Sequence, residues 1–340
     1  MLDKQAPLAI GCAPDGLPFH IYTLENENGM RVQMMDWGAT WLSCQVPVNG
    51  NLREVLLGCQ PDDYPKQTAY LGASIGRYAN RIAHAAKLGL SPNQGEHQLH
   101  GGALGWDKVR WKLKDFSEHS LCFCHFSPHG DQGFAGEVNV TVTYTLEQDN
   151  SLVVTYSAHN QQDTPLNLTN HAYFNLQDSK NGCDVRQHFL QLNADQFLPV
   201  DGQGIPNAPL KSVQRTSFDF RTEKPIQQDF LKEEQLLTKG YDHAFLLNQE
   251  HNKPCAILTS PDRALRLEVS TSQPALQVYT GNYLAGTPTR NGGQYADYSG
   301  IALETQALPD TPNHPEWWQY GGMAKAGSHY HHWTRFKFVL

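Results

Sequence analysis

The chain lacks any apolar run long enough to cross a bilayer as a helix, which argues against an integral helical membrane protein. It also lacks any block of lysine or arginine, and 26 basic residues stand against 34 acidic ones for a net charge of −8. Nucleic acids and anionic membranes are held by basic patches, so neither is an expected partner. A strongly anionic substrate is disfavoured for the same reason, although one or two local arginines would suffice to hold a phosphate. No Cys-x-x-Cys pair occurs, and the seven cysteines (Cys12, Cys44, Cys59, Cys122, Cys124, Cys183, Cys255) are scattered and odd in number. The expectation is reduced, mostly buried thiols in a cytoplasmic protein rather than a disulfide framework. The N-terminal stretch has no basic segment followed by an apolar one of signal-peptide length. Leu8–Cys12 looks faintly like a lipoprotein cleavage site, but the apolar region that should precede it is missing. No nucleophile elbow, Ser–His–acid spacing or glycine-rich phosphate loop leading into a helix is found. Nothing local supports a cysteine nucleophile.

What the chain does have is strand patterning. Its 340 residues, 39% hydrophobic and 18% charged, suit a single large all-β domain over residues 1–340. Val138, Val140, Val142, Tyr144 and Leu146 alternate with polar residues, as do Leu265, Leu267 and Val269. Ser120–Phe126 and Ser151–Ala158 read alike. Turn signals at Asn49-Gly50-Asn51, Asp149-Asn150 and Ser260-Pro261-Asp262 separate such runs. Helical periodicity is confined to Asp229–Leu237 and to one turn at Pro61–Tyr64. The pattern predicts a large antiparallel sandwich or barrel with no interdomain linker.

Residues 166–176 read Leu-Asn-Leu-Thr-Asn-His-Ala-Tyr-Phe-Asn-Leu. As one strand, this run would place Leu166, Leu168, Asn170, Ala172, Phe174 and Leu176 on one face. Asn167, Thr169, His171, Tyr173 and Asn175 would fill the other, a row suited to the floor of a cleft for a polyhydroxylated ligand. Further polar motifs lie elsewhere. Asn80-Arg81 offers amide and guanidinium donors side by side. His100 precedes two glycines that leave its ring uncovered. Asp242 either starts an apolar strand or contacts a ligand. Glu304 interrupts the apolar pattern Ile301-Ala-Leu-Glu-Thr-Gln306, where a carboxylate is either desolvated or paired. Gln277 alternates with apolar neighbours and is placed to face the same cleft. One Glu, two His, one Asp, one Arg and several amides suit proton transfer on a sugar. Opening a cyclic hemiacetal requires the anomeric hydroxyl to lose a proton while the ring oxygen gains one, a task for a carboxylate and an imidazolium on opposite sides.

Five motifs, in order, resemble the galactose mutarotase (aldose 1-epimerase) family: Gly76-Arg-Tyr-Ala-Asn-Arg-Ile82, Leu99-His-Gly-Gly102, Asn167-Leu-Thr-Asn-His-Ala-Tyr-Phe-Asn175, Gly240-Tyr-Asp-His243, and Leu303-Glu-Thr-Gln306 with Leu308-Pro-Asp310. The resemblance spans the chain from about Asp36 to Trp317. It implies a large antiparallel β-sandwich, often called a supersandwich, with a wide cleft. It implies Glu304 as the general base at the C1 hydroxyl and His171 as the general acid at the ring oxygen. Asn80, Arg81, His100 and Asp242 match sugar-binding positions, with Tyr173 and Gln277 as further contacts. It also implies no cofactor and no catalytic metal. The expected ligand is a monosaccharide such as galactose or glucose, for a chain acting as a monomer or weak homodimer.

Other readings remain open on sequence. A hexose-6-phosphate epimerase of the same fold would need added cations for the phosphate. A non-catalytic carbohydrate-binding sandwich would use an aromatic platform, for which Trp106, Trp111, Trp317 and Trp318 are available. A metal-dependent isomerase would draw on His329, His331 and His332, although an edge strand or tail is the expected setting for these three.

Overall fold

The computed structural model describes residues 6–180, 182–248, 250 and 253–340. Residues 1–5, part of the stretch read for a signal sequence, lie outside that set. The alternating runs form strands where expected: Ser120–Ser127, Val138–Leu146, Ser151–Asn160 and Arg266–Thr271. Asn49 and Gly50, at φ 50° and 77°, make the two-residue turn between strands Thr40–Val48 and Asn51–Glu54. Positive φ at both positions matches the twist of a hairpin, and Asn-Gly supplies it at little steric cost.

Three antiparallel sheets carry most of the structure. A five-stranded meander runs from Leu8–Ile10 to Asn51–Glu54. A nine-stranded sheet has His329–Val339 between Ser151–Asn160 and Arg266–Thr271. A six-stranded sheet is ordered Tyr173–Phe174, Ile301–Gln306, Ala275–Tyr279, Asp242–Leu246, Gln196–Phe197, Lys211–Ser212. One apolar core joins all three: Val140 and Val142 of the large sheet, Val32 and Trp41 of the meander, and Leu276, Val278 and Leu303 of the six-stranded sheet belong to a single cluster. The two-residue period then sets the position of the site. With Leu276, Val278, Ile301, Leu303 and Phe245 turned into the core, the residues between them face the other way. That outer face carries Asp242, Gln277, Glu304 and, on the neighbouring strand, Tyr173.

Several expectations are corrected. Residues 166–176 are not one strand. They form Thr164–Leu166, Thr169–Asn170 and Tyr173–Phe174, each paired with a different partner strand. The whole run is buried. Its asparagines are turned to backbone carbonyls and do not line the cavity that His171 and Tyr173 reach. The Asn167 amide donates to the Ala79 carbonyl, that of Asn170 to Gly72, and that of Asn175 to Cys183 and Ser299. They satisfy backbone groups where the chain passes from sheet to sheet. The expected helix at Asp229–Leu237 breaks into a 3₁₀ turn, Ile226–Asp229, and a four-residue α-turn, Gln235–Thr238. Leu236 and Leu237 are 65% and 51% exposed, so no apolar face is buried to hold a longer helix. The Gln235 amide instead ties the turn together, donating to Asp229 O and accepting from Leu231 N.

The cysteines are all free but fewer are buried than expected: Cys44, Cys59 and Cys255 are buried, Cys12 is exposed, and the other three lie between. His329, His331 and His332 sit on the strand His329–Val339, not in a tail, and in the half of it that has the one-sided pairing of an edge. Their half of it pairs only with Ser151–Asn160, while the second neighbour joins from Thr334 onward. His329 stacks on His159 and its Nε2 bonds Ser157 Oγ. Trp106, Trp111 and Trp317 are buried, which removes the aromatic platform and leaves only Trp318 partly exposed. Among the described residues no helix is long and apolar enough to cross a membrane.

Candidate active site

A cavity of about 660 Å³ opens over the outer face of the six-stranded sheet. Glu304, His171, Tyr173, Asp242, Asn80, Arg81 and His100 all line it. Of the eight positions singled out in the sequence, only Gln277 stands back from the wall. It is buried opposite Glu304 in the strand register and donates to Asp242 Oδ1 at 2.7 Å. Its part is to fix that carboxylate.

The upper wall comes from loops before and after the short hairpin of Arg81–Ile82 and Gln98–Leu99. Asn80 and His100 both adopt positive φ, 64° and 51°, and their backbones bond each other, His100 N donating to Asn80 O at 3.0 Å. Gly101 follows at φ 82°, and a Cβ there would lie 2.0 Å from Gly76 O. Glycine is therefore required for the loop to pack this closely. Asn80 N–H donates to His100 Nδ1 at 3.1 Å. Burial first, then the neighbouring His171 and the cations Arg81 and Lys108, push the His100 pKa well below the usual range, so the ring is neutral. With Nδ1 accepting, the ring proton sits on Nε2, and His100 presents a fixed N–H donor.

His171 and Glu304 face each other with Nε2 and Oε1 3.6 Å apart, and both side chains are at most 4% exposed. Burial raises the Glu304 pKa well above the carboxylate range, with the nearby Asp242 adding and Arg81 opposing. Burial lowers His171 to about 4. Both shifts favour neutral forms, which places the pair's single shared proton on the carboxyl rather than on the imidazole. Moving it across the gap gives carboxylate and imidazolium without changing the proton count. The two groups titrate as one unit.

His100, His171 and Glu304 each place a ligand atom within 4.8 Å of the others, a spacing that resembles a metal site. The His100 tautomer argues against that use. Its Nε2 carries a proton, and a cation there would need that proton removed and the Asn80 bond broken. A proton donor beside an acid–base pair fits hydroxyl oxygens instead.

Sequence reasoning missed several wall residues. Tyr70, at φ 57°, stacks on His171 with ring centres 5.8 Å apart and meets His100 edge-on at 4.5 Å. Gln94, His97, Gln203, Gly204, Thr238, Tyr279 and Tyr283 also line the cavity. Each is an ordinary loop or strand-end residue in the sequence, and nothing in its local pattern separates it from a solvated one. Arg77, in the same motif as Arg81, has a different fate. It is buried, and its guanidinium bonds Ser127 and the carbonyls of Ala135 and Gly136.

Residues 20–337 match the family model described as aldose 1-epimerase. The chain belongs to the aldose 1-epimerase family. It is 64% identical over 332 residues to an aldose 1-epimerase of Haemophilus influenzae, covering 96% of this chain and 97% of that protein. It is 40% identical to the bovine galactose mutarotase over 92% of each chain. The solved galactose 1-epimerase of Lactobacillus acidophilus superposes with a TM-score of 0.83 at 30% identity, covering 98% of both chains. The architecture is the galactose mutarotase-like sandwich of this aldose 1-epimerase family. The chain is accordingly an enzyme, an isomerase acting on carbohydrates, with aldose 1-epimerase activity.

Proposed function

We propose that the enzyme interconverts the α and β anomers of free hexoses such as galactose and glucose, with Glu304 and His171 as its proton-transfer pair. The observation that carries this reading is the buried 3.6 Å approach of the two groups within a cavity whose wall also carries the polar side chains of Asn80, Arg81, His100 and Asp242. The sugar enters with its C1–O5 edge between them. Glu304, as carboxylate, takes the proton of the C1 hydroxyl. The O1 electrons form the aldehyde as the C1–O5 bond breaks, and His171, as imidazolium, gives its proton to O5. Rotation about C1–C2 turns the other aldehyde face to O5. The steps then reverse, with His171 taking the O5 proton and the Glu304 carboxyl returning one to O1. No net proton is gained or lost.

The desolvated pair favours this sequence. Opening converts carboxylate and imidazolium into carboxyl and imidazole, the neutral state that burial already prefers. The free enzyme thus rests in the protonation state of the open-chain complex. Asn80, Arg81, His100 and Asp242 hold the remaining hydroxyls, Tyr173 adds a contact beside His171, and Gln277 steadies Asp242. Cytoplasmic placement is supported by seven free thiols. A single working domain is supported by the core shared among the sheets and by the family match across residues 20–337. We also propose that the chain works as a monomer or weak homodimer, since one chain supplies every group this mechanism uses.

Polarimetry on freshly dissolved α-D-galactose tests the reading: the enzyme should shorten the decay of optical rotation in proportion to its concentration. Glucose 6-phosphate should not be preferred. Among the described residues Arg81 is the only Lys or Arg lining the cavity, and the carboxylate of Asp242, like-charged with a phosphate, lies 3.9 Å from it, where it would repel one. The pH profile follows from the pair's one-proton requirement. Adding a second proton gives carboxyl plus imidazolium, and His171 near 4 sets that acid limb. Losing the only proton gives carboxylate plus imidazole, and the raised Glu304 sets the alkaline limb. The expected kcat/KM profile is a broad bell, half-maximal near pH 4 on its acid side. An acid limb at the ordinary imidazole value would contradict the assignment.

A further inference from the structure

Arg81 is enclosed in an unusual way. Its Nε–H donates to Gln94 Oε1 at 2.8 Å. Gly204 lies against the guanidinium, where a Cβ would come within 2.7 Å of Cζ and Nη1. Its backbone is fixed as well: Arg81 N donates to Asn80 Oδ1 at 2.8 Å, and Arg81 O accepts from Asp310 N at 2.8 Å. Among the described residues the terminal nitrogens make no hydrogen bond, and their nearest carboxylate oxygen is Asp242 Oδ2, 3.9 Å from Nη1.

The two loops that hold the guanidinium are joined to each other. His84 N–H donates to His97 Nδ1 at 3.2 Å, so His97 carries its proton on Nε2 when neutral and donates to Gln203 Oε1 at 2.7 Å. The Gln203 turn is stiffened by Asp201 Oδ1, which accepts from Gln203 N and Ile205 N. A guanidinium has five N–H donors in a rigid fork. With Nε–H taken by Gln94, four remain on a side chain that lines the cavity, enough donors to meet two vicinal hydroxyl oxygens.

We propose that Gln94 is a positioning residue of this site, aiming the Arg81 fork at a vicinal diol of the sugar, with the His97–Gln203 bond closing the loop that seats it. The proposal rests on the anomer-interconverting reading for its kinetic consequence only. Gln94 does not touch the reacting atoms. It acts through Arg81, which without it is free to rotate about its long stem and meet Asp242 instead.

The test compares wild type with Gln94→Leu, which removes the acceptor, and Gln94→Glu, which keeps one. The first readout is the Arg81 Nε–H signal in a nitrogen-15 correlation spectrum, which needs no substrate. It should be protected from exchange in wild type and Gln94→Glu and lost or shifted in Gln94→Leu. The second is polarimetric kinetics. Gln94→Leu should raise KM about tenfold or more, as loss of a hydrogen bond to a charged group implies, while kcat falls far less. Gln94→Glu should restore KM to within about twofold of wild type. The acid limb of the pH profile should stay in place. An unchanged Nε–H signal in Gln94→Leu would overturn the proposal, whether or not any sugar is turned over. So would an unchanged KM, or a Gln94→Glu variant as impaired as Gln94→Leu. A wild type that fails to speed mutarotation while the Nε–H pattern holds would count against the anomer reading and not against the positioning of Arg81.

Discussion

Glu304→Gln is expected to lower kcat by about 10³-fold, within the 10²–10⁴ range for a general acid or base, with KM changed little. The amide keeps the shape of the carboxyl and still meets a hydroxyl, so sugar binding survives. What it loses is the ability to accept the C1 proton on opening and return it on closing. The same substitution should leave the protein at least as stable near and above neutral pH. In the folded state Glu304 has its pKa raised by burial, whereas in the unfolded chain it ionises in the ordinary carboxylate range. The folded state therefore binds more protons between those two values. The stability this provides is complete below the unfolded pKa and is lost as pH rises toward the folded one, with a slope of up to about 1.4 kcal/mol per pH unit. Glutamine carries no such dependence. A variant inactive in polarimetry yet melting no lower than wild type at pH 8 is the expected result. Full activity would remove Glu304 from the chemistry.

His171→Asn should cost kcat a comparable factor, again about 10²–10⁴. Burial lowers the His171 pKa in the folded protein to about 4, below its unfolded value. Here the linkage has the opposite sign. Its stability contribution is present above the unfolded pKa and is lost as pH falls through the folded value. Asparagine should flatten stability on the acid side, and any residual activity should no longer show a limb near pH 4. The double variant should be little worse than either single one, because both groups serve one coupled transfer and removing either disables it. Additive losses in the double variant would mean that the two act in separate steps.

These effects rest on features that the sequence revealed unevenly. Strands such as Val138–Leu146 were legible because one face is buried and the other solvated, which writes a two-residue period directly into the chain. Glu304 was legible for the opposite reason: a carboxylate inside an apolar strand has to be explained by chemistry. The 166–176 run misled because the period assumes a continuous strand. This segment crosses three sheets within eleven residues, so its asparagines bond backbone at the crossings while His171 and Tyr173 alone reach the cavity. Tyr70, Gln94 and Gln203 were invisible because their roles depend on contacts between separate loops, Tyr70 against His100 and His171, and Gln94 and the Gln203 turn around Arg81. Short-range patterning carries no record of such contacts. The expected Asp229–Leu237 helix failed on the same ground. Its leucines find no partner surface, and local propensity alone does not hold a helix that short.

The central claim is that one carboxyl and one imidazole exchange protons with O1 and O5 of the same pyranose. A crystal structure of the wild-type enzyme with galactose tests it most directly. The account predicts the Glu304 carboxyl at roughly 2.6–3.2 Å from O1 and His171 Nε2 at a similar distance from O5, on opposite sides of the C1–O5 bond. A sugar seated in the cavity with either atom beyond direct reach of its partner, and no rotation of the ring able to bring both into contact, would contradict it.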